Sequence, residues 1–165
     1  MSTTFSSGDT AGISPPAEKE KDLLIVVGYD GSEPARRALD AAAGMLRRSP
    51  GQIEAVFIAH TPATVAMSAG ALVEVGTTFD TSEADLFDEV RTRLAGRSVQ
   101  WSFQRRDGDI ARELVAVGEE LLDSHGPDSR VVVVVGGSAQ KIHRYLNSVP
   151  GRIVRQDRFE VLVVP

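Results

Sequence analysis

Cysteine is absent from all 165 residues, which removes disulfides, thiolate metal sites and cysteine nucleophiles and gives no sign of a secreted, disulfide-stapled design. An excess of basic residues is also lacking. The net charge is -5 and the pI near 5.2, which argues against a general nucleic-acid binder, since that would need a basic face to collect phosphates. The opening stretch MSTTFSSGDTAGISPPAEKEK contains no apolar run of signal-peptide or membrane-spanning length. With neither a secretory nor a membrane signal, the expectation is a cytoplasmic protein with no membrane partner. Residues 1–21 read as a leader rich in Ser, Thr, Gly and Pro, and residues 22–165 as one domain, whose 42% hydrophobic residues suffice for an ordinary core.

Signatures of catalysis and metal binding are missing too. The three histidines, His60, His125 and His143, stand on separate elements without i, i+4 spacing, so no metal site is expected. No Gly-rich P-loop with its lysine followed by Ser or Thr occurs, no G-x-S-x-G surrounds Ser32 or Ser148, and no G-x-G-x-x-G opens the first helix. These absences favour a non-enzymatic protein over a nucleotide-hydrolysing one, which would need a metal-binding acid near the phosphates.

What the chain does contain is alternation. LLIVVG (residues 23–28) is apolar throughout, as suits a parallel strand covered on both faces. Ser32 then caps a helix with Pro34 in its first turn and Ala35, Ala38, Leu39, Ala42 and Leu46 at helical spacing. IEAVFIAH (53–60) is a second strand. SEADLFDEVRTRL is a helix capped by Ser82, and the stretch between them is expected to be a flap or to hide a helical turn. Val99, Trp101 and Phe103 alternate with polar residues, which predicts a peripheral strand with one polar face and gives Trp101 a packing role. Asp109 caps a helix carrying the stripe Ile110, Leu114, Val117 and Leu121 and ending at Gly126. Five valines, Val131–Val135, run into Gly136-Gly137; a short helix follows from Ser148 to about Arg155, and EVLVVP closes the chain.

Units in this order predict an α/β fold: a five-stranded, doubly wound, parallel open sheet of Rossmann-like design in a single domain. Ligands of such sheets bind beyond the carboxyl ends of the strands, where the strand order reverses. The two strands that end in glycine should therefore face one crevice.

Three segments, VVGYDGSEPARRALDAA, DGDIARELV and LNSVPGRIVRQDRFEVLVVP, resemble the universal stress protein family over residues 22–165. The resemblance implies an adenine-nucleotide crevice, with ATP or AMP as the ligand, in which Asp30 contacts the adenosine part and Gly28 and Tyr29 lie beside it. The ATP-binding branch carries G-x2-G-x9-G-[ST] after the fourth strand. Here the order is Gly136-Gly137, nine residues, then Asn147-Ser148, so either the loop is two residues short or the second glycine is missing. Asn tolerates the left-handed region best among non-glycine residues, and Ser148 at a helix start can still offer its hydroxyl to an anion. Lys141, Arg144, Arg152 and Arg155, with no acid between Ser138 and Gln156, can neutralise a phosphate chain or form an ordinary solvated basic face. Asp30 likewise is either a ligand contact or the acceptor of an Asx-turn. The resemblance also implies a homodimer through the last strand, Val161, Leu162, Val163 and Val164, whose apolar edge has a physical motive for pairing. A branch of the family without ATP leaves a second reading open, a scaffold that acts through protein partners.

Overall fold

A computed structural model describes residues 21–59, 72–137 and 149–165, with the backbone alone for 72–82. Strands β1 (Leu23–Gly28), β2 (Gly51–Ala59), β3 (Gln100–Asp107), β4 (Arg130–Gly136) and β5 (Glu160–Val164) alternate with helices α1 (Glu33–Met45), α2 (Leu72–Leu94), α3 (Ile110–His125) and α4 (Val149–Val154). All strand pairings are parallel, in the order β3-β2-β1-β4-β5. The chain winds from β1 outward to β3, crosses back to β4 and finishes at β5. The reversal thus falls between β1 and β4, which pair from Leu23↔Arg130 to Val27↔Val134.

Strand β1 and the valine run of β4 are buried on both faces because helices cover both sides. On one face Ile25, Val27, Ile53, Ala55, Val132 and Val134 pack against α1 and α2. On the other, Leu24, Val26, Val56, Val131, Val133 and Val135 pack against α3 and α4. Small residues on α1, with Ala35, Ala38, Ala42 and Ala43 all buried, let that helix lie close on the sheet. Each fully buried Val, Leu or Ile contributes about 1.5–3 kcal/mol of apolar burial, so this two-sided packing dominates the stability.

Strand β3 is peripheral, as its alternation predicts. Trp101 and Phe103 lean into the α1–α2 side, where both rings contact Phe87 of α2 at centroid distances of 5.9 Å. The opposite face of β3 is polar: Ser102 and Gln104 donate to the buried Glu54 of β2, the latter over 2.9 Å.

Helix α2 corrects the expected boundary. It begins at Leu72, ten residues before the expected cap at Ser82, which therefore lies inside the helix. Ser, Thr and Asp between Thr77 and Ser82 signal turns in sequence because their side chains compete for the backbone. Nothing in that run, which lacks proline, prevents a helix from continuing through it. Residues 60–71 and residues 1–20 of the leader lie outside the described residues.

Candidate functional site

The β1–α1 junction is built by three local devices. Tyr29 N donates to Val56 O over 2.9 Å, which carries the ladder to β2 one residue past the end of β1. Asp30 Oδ1 then accepts from Ser32 N at 2.9 Å, closing an Asx-turn around Gly31, whose φ of +75° few other residues tolerate. Ser32 Oγ accepts from Ala35 N at 3.3 Å and caps α1. The Asx-turn uses one oxygen of Asp30. Among the described residues the other takes no hydrogen bond and stands at the mouth of a cleft.

That cleft has a volume of about 150 Å³ and opens beyond the carboxyl ends of β1, β2 and β4. Gly28, Val56, Ile58 and Val135 form its floor, Ile110 and Leu114 of α3 one wall, and Val149 and Pro150 of α4 another. Asp30 and Ser32 supply the polar rim from one side, and Gly136 closes the other. The two glycine-ended strands therefore share one crevice at the reversal of strand order.

Gly136 is a glycine for a reason of packing. A β-carbon there would lie 2.4 Å from the carbonyl carbon of Pro34, so the end of β4 meets the first turn of α1 backbone to backbone. Gly28 is tight as well, its would-be β-carbon 3.3 Å from Leu114 Cδ1. Gly137 does not line the cleft. Its N–H donates to Val164 O over 2.7 Å, extending the pairing of β4 with β5, and its Cα faces Val163.

Tyr29 is nearly sealed from solvent on the α1–α2 side of the sheet, so it contributes to the cleft from beside Asp30 while its ring belongs to the core. Its hydroxyl faces Glu89, and burial first, the Glu89 carboxylate second, push its pKa up to about 12. Arg152 is also committed: its guanidinium lies 2.8 Å from Asp109 Oδ2 and holds that carboxyl below the usual range. Asp109 itself caps α3 by accepting from Arg112 N at 3.1 Å, so this ion pair ties α3 to α4 across the outer end of the cleft walls. Lys141, Arg144, Asn147 and Ser148 lie outside the described residues.

Ile58, Ile110, Leu114, Val149 and Pro150 line the cleft without having been singled out for it. Ile110 and Leu114 read equally well as the buried stripe of α3, because the same helix face covers both the sheet and the crevice. Their signal is position: they follow the Asp109 cap, at the end of α3 nearest the carboxyl ends of the strands.

Among the described lining residues Asp30 alone carries a charge. An apolar slot with one carboxylate and one hydroxyl at its rim suits a flat, apolar-faced group bearing hydroxyl donors, such as a nucleoside. Phosphates would have to sit away from the Asp30 carboxylate.

The model of the universal stress protein family matches residues 24–165. Among curated proteins no relative matches. Solved structures similar to this chain include a universal stress protein family member from Burkholderia pseudomallei, 24% identical over 86% of this chain and 95% of that one, with a TM-score of 0.63. Universal stress protein UspA from Lactobacillus plantarum is 18% identical over 89% and 100% of the two chains, with a TM-score of 0.67. A universal stress protein in complex with cAMP is 20% identical over 87% and 97%, with a TM-score of 0.58. The family match spans nearly the whole described fold, and the chain belongs to the universal stress protein family.

Proposed function

We propose that this chain is a non-enzymatic, cytoplasmic stress-response or regulatory protein whose β1–β4 cleft binds an adenine nucleotide through its nucleoside part, with a weakened hold on the phosphates. The observation that carries this reading is the convergence of Asp30 and Gly136 on one apolar cleft at the reversal of strand order. A ribose offers two hydroxyl donors that suit the unoccupied oxygen of Asp30, and a purine face suits the apolar walls of α3 and α4. A similar structure holds cAMP, a ligand with a single phosphate. None of the described helices is long and apolar enough to cross a membrane.

The weakened phosphate hold rests on two groups that are engaged elsewhere. Gly137 N–H is bonded to Val164 O, and Arg152 is paired with Asp109. Both commitments also favour a second reading, a scaffold of the same fold that binds no nucleotide. In either reading the protein is a homodimer joined along β5, where Leu162 is exposed on the terminal edge strand.

Calorimetric titration with ATP, AMP and cyclic AMP separates the two readings. The nucleotide reading predicts binding that Asp30→Ala abolishes or weakens strongly, with ATP gaining little over AMP. Absence of heat with all three leaves the scaffold reading, and binding that survives Asp30→Ala removes Asp30 from the site.

A further inference from the structure

On the face of the sheet away from the cleft, α2 presses on the turn that carries Asp30. Leu86 packs over Gly31 so closely that a β-carbon on the glycine would lie 2.6 Å from Leu86 Cδ2. One turn further along α2, Glu89 forms an ion pair with Arg36 in the first turns of α1, and its carboxylate faces the hydroxyl of Tyr29. That hydroxyl is buried without a hydrogen-bond partner among the described residues, and Glu89 and Arg36 are side chains that face it. Three consecutive residues of the junction are therefore held from two sides. Tyr29 and Gly31 are gripped by α2, and Asp30 between them faces the cleft.

We propose that Glu89 is a positioning residue for the cleft: together with Leu86 and Arg36 it fixes the β1–α1 turn from behind, and so sets where the Asp30 carboxylate points. This rests on the reading of the cleft as the ligand site. Side chains alternate at the end of a strand, so Tyr29 and Asp30 face opposite sides of the sheet. A shift of α2 relative to α1 is thus felt at Asp30 through the backbone alone. Glu89 carries a partly exposed charge, and its pairing with Arg36 holds its carboxyl below the usual range. A second set of contacts between the same helices provides an internal control. Arg93 of α2 and Arg97, three residues past the end of α2, both pair with Asp40 of α1 at 2.7 Å, on the side away from the junction.

Amide exchange followed by NMR on the ligand-free chain reads the clamp directly, through Tyr29 N–H on Val56 O and Ser32 N–H on Asp30 Oδ1. Glu89→Gln is expected to speed exchange at these two amides by about fivefold to tenfold, the worth of one charge-assisted hydrogen bond discounted for partial exposure. Arg97→Gln should leave both amides within about twofold of the wild type. A parallel AMP titration should then show weaker binding for Glu89→Gln and unchanged binding for Arg97→Gln. Equal exchange in Glu89→Gln and Arg97→Gln overturns the proposal, as does a selective loss of protection with AMP affinity unchanged. If the wild type binds no AMP but Glu89→Gln still loosens the two amides selectively, the clamp on the turn stands and the nucleotide reading fails.

Discussion

Replacing Gly136 with alanine should destabilise the fold before it affects any ligand. The added β-carbon would sit 2.4 Å from the Pro34 carbonyl carbon, 2.6 Å from its oxygen and 2.7 Å from Ala35 N. All three are backbone atoms of the first turn of α1, so no side chain can rotate away, and either β4 or the helix must shift. Overpacking of a close-packed interior costs about 1–3 kcal/mol, and contact with backbone puts this site at the upper end, about 3 kcal/mol. With a urea m-value of about 2 kcal/mol/M, the unfolding midpoint should fall by about 1.5 M. Gly44→Ala supplies the comparison, because Gly44 is an exposed residue of α1 with open space around its Cα. There the change should stabilise by about 0.5–1 kcal/mol through helix propensity alone. Urea denaturation followed by circular dichroism reads both. A Gly136→Ala midpoint within the error of the wild type would refute the packing explanation and leave Gly136 as a glycine that serves only a bound ligand.

Two further outcomes follow from the ion pairs and the sheet edge. Glu89, Asp109 and Glu160 are held below the usual carboxylate range by Arg36, Arg152 and Arg130 respectively. Depressed folded values mean stability that is present above the unfolded values, near pH 4 to 4.5, and is lost as the pH falls through the folded ones. Thermal melts between pH 7 and pH 3 should therefore show a falling midpoint below about pH 4.5, less steep in Asp109→Asn; a flat profile contradicts the pairing. For the proposed β5 dimer, Leu162→Lys places a charge on the outermost strand and should yield a folded monomer in sedimentation experiments. A dimer that persists moves the interface elsewhere.

How much of this was legible in the chain depends on how local the signal is. Five consecutive valines suit an interior parallel strand covered on both faces, so β4 as a central strand was legible in hydropathy. Asp109 and Gly126 bound α3 by capping chemistry that acts within a few residues, and the helix runs between them as expected. The start of α2 was not legible, since a run of Thr, Asp and Ser is a weak helix former whose outcome is decided by tertiary contacts. The glycine pair after β4 was read as one phosphate-binding feature, yet the structure gives the two glycines different neighbours. Gly136 meets α1 and Gly137 joins β5, contacts between residues more than twenty-five positions apart that no local pattern reveals. Glu89 was invisible for the same reason, because its partners Tyr29 and Arg36 lie more than fifty residues away in sequence.

The central claim is that the cleft between the ends of β1 and β4 is where this chain binds its ligand. It is tested most directly by amide chemical shifts of the labelled protein during titration with AMP. The account predicts shifts concentrated at Gly28, Asp30, Ile58, Ile110 and Gly136, all lost in Asp30→Ala. Shifts confined to the opposite ends of the strands, around Gln52 and Gln100, would contradict it, as would a spectrum that AMP leaves unchanged.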